Sequence, residues 1–317
     1  MKVVFMGTPD FARESLKAIF DAGFNVLGVV TNEDKKKGRG MKLAYSPVKE
    51  FALEEHIAIY QPAKVKNNQE FIEEMKELEP DVICVVAYGK ILPKEILEIP
   101  KLGCINVHGS LLPKYRGAAP IQWAVLNGDK TTGITTMYMD EGMDTGDMIL
   151  KKEVEIGENE TTGELWDRLA KIGGELLVET LKKVAKGTAP REKQGEDFSM
   201  APMLSKDMAK IDWNKSAVEI KNLVRGLNPI MGAYTHLKGK KIKFWKVEIA
   251  KEDELIVENL DFLSNGTVLV SDQRDGLYIK AKDGVIKVLE IQGENGKKMP
   301  ISDFLRGNKI EEFQIFE

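Results

Sequence analysis

The first half of the chain alternates apolar runs of strand length with amphipathic segments of helix length, and this alternation restricts the fold most. Lys2–Met6, Asn25–Thr31 and Asp81–Tyr88 are rich in apolar and β-branched residues. The five residues from Val82 to Val86 are apolar throughout, as expected for a parallel strand that is covered on both faces. Between the first two runs, Phe11–Ala22 places apolar residues on one helical stripe. The pattern predicts an open, doubly wound and mostly parallel α/β sheet.

The pattern changes in the second half of the chain. A long helix, predicted over Thr162–Lys186, opens with a capping box formed by Thr161 and Glu164. A polar stretch follows, and beyond it short apolar runs alternate with Gly, Asn and Asp turns, which is typical of a small antiparallel β-barrel. The predicted barrel strands are Ala233–Leu237, Lys241–Ile249, Thr267–Val270, Leu277–Ala281 and Val285–Gln292. We therefore predict an α/β domain, a linker and a barrel domain, over residues 1–189, 190–206 and 207–317.

Composition excludes several classes of protein. The 317 residues carry a formal net charge of −4, and 43% of them are hydrophobic, which is enough for a sizeable core. The longest apolar runs are much shorter than the ~20 residues that cross a bilayer, and early charges argue against a signal peptide. The two cysteines lie in apolar runs, and the glycine motifs of dinucleotide and nucleoside triphosphate sites are missing. We expect a cytoplasmic globular protein without a disulfide framework.

Basic residues are concentrated in two segments although the whole chain is slightly acidic. Residues 34–42 carry five basic residues against one acid, and residues 203–246 carry ten against three. Lysine runs of this kind are often solvated surface, but they also form surfaces that attract nucleic acid phosphates. The charge pattern alone leaves both interpretations open.

Asn106 and His108 are the most informative pair of polar residues. They lie two positions apart at the end of an apolar run, so both side chains emerge on one face of the strand. The carboxyl end of a parallel strand faces the crevice in which open α/β sheets bind ligands. An amide that donates to an oxyanion, beside an imidazole that manages a proton, suits acyl transfer. A lone histidine is more often structural, yet the neighbouring Asn106 and Gly109 favour a catalytic role.

A carboxylate that orients the imidazole would complete such a site. The glycine-interrupted loop Met139–Asp147 offers four candidates, which are Asp140, Glu141, Asp144 and Asp147. The same composition is typical of a polar turn. Spacing alone does not choose among the four acids.

The segment Asn106–Gly117, together with Asp144-Thr145-Gly146-Asp147, resembles the signature of the 10-formyltetrahydrofolate-dependent formyltransferases. Within this class, similarity to the methionyl-tRNA formyltransferases extends over nearly the whole chain. It runs through Phe5–Phe11, Gly38–Gly40, Ser46–Lys49, Val86–Gly89, Gly117–Gln122, Leu204–Lys206, Ile211–Trp213, Asn228–Pro229 and Phe244–Lys246. The resemblance implies a Rossmann-like sheet of the formyltransferase type, followed by a barrel that resembles an OB-fold.

The resemblance also implies a catalytic trio and a folate site, without a metal. Asn106, His108 and Asp144 match the family's Asn/His/Asp trio, so the resemblance selects Asp144 among the four acids. In the implied reaction, the amine of methionine on initiator tRNA attacks the formyl group of 10-formyltetrahydrofolate, and the trio stabilises a tetrahedral intermediate. The implied folate contacts are Val86, Tyr88, Gly89, Ile91, Leu92, Ser110, Leu111, Leu112 and Pro113.

By the same resemblance, the two basic segments form a tRNA-binding surface on a protein expected to act as a monomer. The implied tRNA contacts are Lys35, Lys36, Lys37, Arg39, Lys42, Lys206, Lys238, Lys240, Lys241 and Lys243. Two alternatives keep the chemistry and change the acceptor: a sugar-nucleotide formyltransferase, and a hydrolase of 10-formyltetrahydrofolate. A third is a catalytically idle tRNA-binding module, which the intact trio argues against.

Overall fold

The computed structural model describes residues 1–37, 42–251 and 260–317, and leaves the side chains of residues 36, 37, 42 and 261 outside the description. It divides the chain into two units. Unit 1 comprises residues 1–120, 131–155 and 166–202, and unit 2 comprises residues 121–130, 156–165 and 203–317.

The described residues of unit 1 form nine strands, seven of which make one sheet. The strands are β1 (Lys2–Gly7), β2 (Asn25–Val30), β3 (Lys35–Lys37), β4 (Lys42–Ala44), β5 (Ile59–Tyr60), β6 (Val82–Val86), β7 (Cys104–His108), β8 (Thr131–Tyr138) and β9 (Met148–Glu155). The helices of the first 185 residues are α1 (Asp10–Asp21), α2 (Pro47–Glu54), α3 (Gln69–Glu77), α4 (Lys94–Leu97), α5 (Pro120–Leu126) and α6 (Thr162–Ala185).

The large sheet has the order β5-β2-β1-β6-β7-β8-β9. The pairs from β5 to β7 are parallel, and β8 and β9 are antiparallel to their neighbours. Every residue of β6 is buried, as its apolar sequence predicts. The doubly wound sheet is therefore confirmed, and its strand order reverses between β1 and β6, where such sheets form a ligand crevice.

Strand β9 was not predicted from the sequence. Only its first residues, Met148 and Ile149, are buried, and the charged residues that follow are exposed. A strand at the edge of a sheet tolerates charge because one side of it faces solvent. Its apolar pattern is therefore too short to indicate a strand from the sequence.

The predicted start and end of α6 are confirmed. The backbone N–H of Thr161 donates to Glu164 Oε2 at 2.8 Å, and the N–H of Glu164 donates to Thr161 Oγ1 at 3.3 Å. The hydrogen bonds that the N–H and the hydroxyl of Thr161 donate to the Glu164 carboxylate lower the pKa of Glu164. Beyond the helix, Gly187 takes a φ of +67°, a conformation in which glycine avoids the strain of a side chain.

Residues 190–202, within the segment predicted to be a linker, pair with the body of unit 1, and we call them the strap. Glu192 forms an antiparallel bridge with Met148, and Met200 forms a parallel bridge with Arg116. The side chains of the strap are mostly polar and exposed, so its sequence shows no hydrophobic periodicity. The pairing is made by backbone groups, which a side-chain pattern does not indicate.

The described residues of unit 2 contain the five predicted antiparallel strands, some with ends shifted by one or two residues, and a sixth short strand that was not predicted. The strands are β10 (Ala233–Leu237), β11 (Lys240–Ile249), β12 (Val268–Asp272), β13 (Gly276–Lys280), β14 (Val285–Gln292) and β15 (Met299–Pro300), and the helices are α7 (Ala217–Gly226) and α8 (Ile301–Gly307). The sheet order is β10-β11-β14-β13-β12, with β15 beside β14. The C-terminal residues connect the two ends of this sheet, because the N–H of His236 donates to Glu317 O and the N–H of Val268 donates to Gln314 O.

No helix in the described part of the chain is long and apolar enough to span a bilayer. Both cysteines are free and buried, on the neighbouring strands β6 and β7. Burial raises the pKa of Cys84 and raises that of Cys104 to about 12, so both thiols stay protonated and unreactive.

We expect Leu16→Ala to destabilise unit 1 far more than Leu53→Ala. Leu16 on α1 is fully buried, whereas Leu53 on α2 is 48% exposed. A cavity at Leu16 should lower the free energy of unfolding by about 2–5 kcal/mol, and loss of Leu53 by about 1 kcal/mol or less. Urea unfolding of both variants measures the difference, and equal losses would contradict the assigned core.

Candidate active site

The crevice at the strand reversal is bounded by the loops that follow β1 and β6. A Cβ atom at Gly7 would lie 2.8 Å from the carbonyl oxygen of Val86, so glycine lets the two strand ends approach closely. After β6, Ala87 and Gly89 both take positive φ values, of 45° and 78°, which turn the chain sharply. The next strand along the sheet, β7, ends at His108. The predicted catalytic residues thus lie at the carboxyl edge of the parallel strands.

Asn106, His108 and Asp144 are brought together at this edge. Asn106 and His108 lie on β7, and Asp144 lies on the loop between β8 and β9. The Asn106 side-chain amide donates to Asp144 Oδ1 at 3.4 Å, and His108 Nδ1 lies 3.6 Å from the same oxygen. Asn106 has a second amide hydrogen without a partner among the described residues, which leaves it available to a ligand.

His108 is 5% exposed and is held from both sides of its ring. Nε2 lies 2.8 Å from the carbonyl oxygen of Tyr115, and Nδ1 faces the Asp144 carboxylate. Both oxygens are acceptors, so a ring nitrogen that carries a proton can donate to the oxygen it faces. The imidazole is therefore held between a backbone carbonyl and a carboxylate.

Asp144 is fixed by its own backbone and by a neighbouring segment. It takes a φ of +55°, which Asp and Asn tolerate better than most residues, and its Oδ2 accepts from the N–H of Gly117 at 2.8 Å. The other three acids of the loop Met139–Asp147 have different surroundings. Asp140 accepts from Gly142 and Thr145 in its own loop, Asp147 pairs with Arg191, and Glu141 is exposed.

The first group of predicted folate residues follows β6. Val86, Tyr88 and Leu92 are buried, whereas Gly89 is exposed and the Ile91 side chain is 79% exposed. The Tyr88 hydroxyl is buried without a hydrogen-bond partner in the described structure, and burial raises its pKa to about 12. The loop after β6 therefore carries an exposed apolar side chain, Ile91, and a buried hydroxyl without a hydrogen-bond partner, that of Tyr88.

The second group of predicted folate residues follows β7. Ser110 is fully buried and its hydroxyl donates to the carbonyl oxygen of Lys114 at 2.6 Å, while the N–H of Leu112 donates to Thr135 Oγ1 at 3.0 Å. The Leu112 side chain packs with Met137 and Met148. Ser110 and Leu112 thus shape the loop, and the half-buried members at its surface are Leu111 and Pro113.

A partly buried ion pair, which sequence reasoning did not identify, lies beside the first basic segment. Lys49 Nζ donates to Asp34 Oδ2 at 2.6 Å and to Gln61 Oε1 at 2.7 Å. The hydrogen bond from Lys49, followed by that from Gln61, lowers the pKa of Asp34. Gln61 also donates to Asn32 O, and Asn32 donates to Tyr88 O. This network joins the loop after β6 to the residue directly before β3.

The first basic segment contains the two-stranded hairpin β3–β4, in which Lys35 pairs with Ala44 and Lys37 with Lys42. Lys35 is exposed. Arg39, and the side chains of Lys36, Lys37 and Lys42, lie outside the described residues. The predicted contacts of these four residues with tRNA stay predictions.

The second basic segment places lysines and aromatic rings on the hairpin β10–β11. Lys238 and Lys240 are exposed, and Lys241 Nζ lies 3.4 Å from the centre of the Tyr234 ring. Lys243 Nζ donates to Met231 O and lies 5.5 Å from the Trp245 ring. Sequence reasoning missed the two aromatic residues, although the two-residue spacing of Lys241, Lys243 and Trp245 signals a shared face. Lys206 is exposed at the start of the short 3₁₀ helix Lys206–Ala209.

Among the described residues, no cluster of three or more His, Cys, Asp or Glu side chains could hold a metal ion. The catalytic candidates are instead one amide, one imidazole and one carboxylate, tied to each other and to backbone groups.

Comparison with known proteins identifies the family. The formyl transferase family matches residues 1–181, and the formyl transferase C-terminal domain family matches residues 203–309. Methionyl-tRNA formyltransferases from Caldanaerobacter subterraneus and Clostridioides difficile are 52% and 54% identical, over 100% and 98% of this chain and the same shares of their own.

Solved structures share the fold at lower identity. An N-formyltransferase from Helicobacter canadensis, in complex with folinic acid and dTDP-3-aminofucose, is 22% identical with a TM-score of 0.67, over 91% of this chain and 99% of its own. HypX from Aquifex aeolicus, in complex with tetrahydrofolic acid, is 15% identical with a TM-score of 0.65, over 98% of this chain and 50% of its own. Because the full-length relatives are about half identical to it, the chain belongs to the methionyl-tRNA formyltransferase family.

Proposed function

We propose that this chain transfers the formyl group of 10-formyltetrahydrofolate to the free amine of methionine on charged initiator tRNA. The observation that carries the proposal is the cluster of Asn106, His108 and Asp144 at the carboxyl edge of β7, in a chain of this family. An amide donor, an imidazole and an orienting carboxylate are the groups that acyl transfer to an amine requires.

In the proposed reaction, the neutral amine attacks the formyl carbon and negative charge develops on the formyl oxygen of the tetrahedral intermediate. The intermediate collapses when the bond between the formyl carbon and N10 of the folate breaks, and the proton that the amine loses ends on N10, so that tetrahydrofolate leaves. The unpartnered amide hydrogen of Asn106 donates to the formyl oxygen. His108 manages a proton beside that oxygen, with Nε2 facing Tyr115 O and Nδ1 facing Asp144. Asp144 holds the ring in place, and the N–H of Gly117 in turn holds Asp144.

The crevice between the loops after β6 and β7 fits the formyl donor. The exposed Ile91 and the half-buried Leu111 and Pro113 offer apolar surface to the pterin and its linked ring. The positive φ values of Ala87 and Gly89 turn the backbone of the loop after β6, which is where we place the edge of the pterin.

The proposed tRNA surface consists of the two basic segments. The hairpin β10–β11 combines Lys240 and Lys241 with Tyr234 and Trp245, a mixture of charge for phosphates and rings for stacking. The ion pair between Asp34 and Lys49 fixes the base of the hairpin β3–β4, which carries Lys35. We further propose that the protein acts as a cytoplasmic monomer, as the sequence analysis expects.

The first experiment is radiolabelled formyl transfer with charged initiator tRNA as acceptor, run beside a dTDP-amino sugar and water. We expect transfer to tRNA alone. His108→Ala should lower kcat by about 10²–10³-fold, as loss of a group that stabilises an oxyanion does, with KM for tRNA changed less than about twofold. Transfer to the sugar, or formate release without an acceptor, would assign the same trio to a different substrate.

Asp144→Asn tests the charge of the carboxylate apart from its shape. Asparagine tolerates the positive φ at this position and keeps an oxygen for the N–H of Gly117, so the melting temperature should hold. The loss of negative charge beside His108 should lower kcat by at least about 10²-fold. Glu141→Gln, an exposed acid on the same loop, is the matched control and should keep full activity. An active Asp144→Asn enzyme would remove the carboxylate from the mechanism.

The tRNA surface predicts a steep salt dependence. The double variant Lys240→Gln/Lys241→Gln should bind charged initiator tRNA more weakly, and the slope of log K against log salt should decrease by about one for each phosphate that the variant no longer binds. Titrations at roughly 50–200 mM salt measure that slope. Lys66→Gln/Lys101→Gln, which removes two exposed lysines of unit 1, is the matched control. Equal slopes for the two double variants would show that the hairpin β10–β11 does not bind phosphate.

A further inference from the structure

We propose that Gln194, on the strap, is a positioning residue of the active site: its side-chain amide joins the loop of Asp144 to the segment Tyr115–Gly117. The kinetic part of its test rests on the formyl transfer proposed above, while the structural part does not. Gln194 lies between the two family matches, which leave residues 182–202 uncovered. It also lies within the predicted linker, residues 190–206.

The side-chain amide of Gln194 both donates and accepts hydrogen bonds. Its Nε2 donates to the backbone oxygens of Asp144 and Gly146, at 2.8 and 2.9 Å. Its Oε1 accepts from Arg116 Nε at 2.9 Å. Three of the four hydrogen-bonding positions of the amide are therefore used, and they connect two segments that are distant in sequence.

Both of these segments hold His108. Tyr115 O faces Nε2 of the imidazole, and the N–H of Gly117 donates to the Asp144 carboxylate that faces Nδ1. Arg116, between them, is nearly buried, and its guanidinium lies 4.6 Å from the Phe198 ring of the strap. A shift at Gln194 would therefore move both partners of His108.

The strap itself is tied down on either side of Gln194. Towards the N-terminus, Glu192 exchanges backbone hydrogen bonds with Met148, directly after the Asp144 loop. Towards the C-terminus, Ser199 Oγ accepts from the N–H of Tyr115 at 2.9 Å, and Ala201 N donates to Arg116 O. The strap thus follows the same two segments that Gln194 joins.

Only an amide satisfies all three partners. A carboxylate at this position would accept from Arg116 but would face two carbonyl oxygens without a proton to donate, and an ammonium could not accept from Arg116. Gln194→Glu is nearly isosteric, so it removes the two donated bonds with little change in volume. Gln194→Met removes all three bonds without adding charge.

The experiment compares Gln194→Glu and Gln194→Met with Glu192→Gln, whose exposed side chain lies two residues away on the strap. We expect kcat to fall by about 10–100-fold in both Gln194 variants, since small displacements of catalytic groups cost that much. KM for 10-formyltetrahydrofolate and for tRNA should change less than about twofold, and the melting temperature should stay close to that of the wild type. The Glu192→Gln enzyme should match the wild type.

Amide hydrogen exchange at Gly117 gives a measurement that does not depend on the reaction. Its N–H donates to Asp144 Oδ2, so exchange should be faster in both Gln194 variants and unchanged in Glu192→Gln. Unchanged exchange with unchanged kcat would overturn the proposal, as would loss of the folded state in both variants. A wild-type enzyme without formyl transfer would contradict the proposed function, and the exchange rates would still decide the role of Gln194.

Discussion

The candidate site depends on the carboxylate of Asp144, because this one group contacts both other members of the trio and the N–H of Gly117. Oδ1 faces both His108 and Asn106, and Oδ2 accepts from the N–H of Gly117. A buried polar ring needs such partners, since an unpaired polar group in a protein interior is costly. Two further contacts hold these groups in position: Tyr115 O faces His108 Nε2, and Gln194 donates to the backbone oxygen of Asp144.

The rest of unit 1 serves to bring these groups to one edge of the sheet. Strand β7 is parallel to β6 and antiparallel to β8, so the loop after β8 begins beside the amino end of β7. Asp144 on this loop nevertheless reaches Asn106 and His108. The reversal of strand order between β1 and β6 opens a crevice beside them. The chemistry thus depends on an ordinary sheet whose loops carry uncommon backbone conformations, at Ala87 and Asp144 among others.

Several features were predictable because they follow from local pattern. The fully apolar β6 indicated a buried parallel strand, and the three-residue spacing of Thr161 and Glu164 indicated the start of α6. Asn106 and His108 share a face because side chains alternate along a strand. Strand β9 and the strap were not predictable, since the first is a charged edge and the second pairs through its backbone.

The sequence by itself determined the parallel core, the barrel, the paired Asn106 and His108, and the family. Spacing left four acids open and the resemblance to the family selected Asp144; the folded loop brings Asp144 rather than Asp140 or Asp147 to the imidazole. The tertiary structure alone decided that both nitrogens of His108 face acceptor oxygens and that Gln194 joins the segments around it. The physical reason is distance along the chain: contacts between His108 and Asp144, 36 positions apart, or between Gln194 and Asp144, 50 positions apart, leave no periodic trace in a sequence.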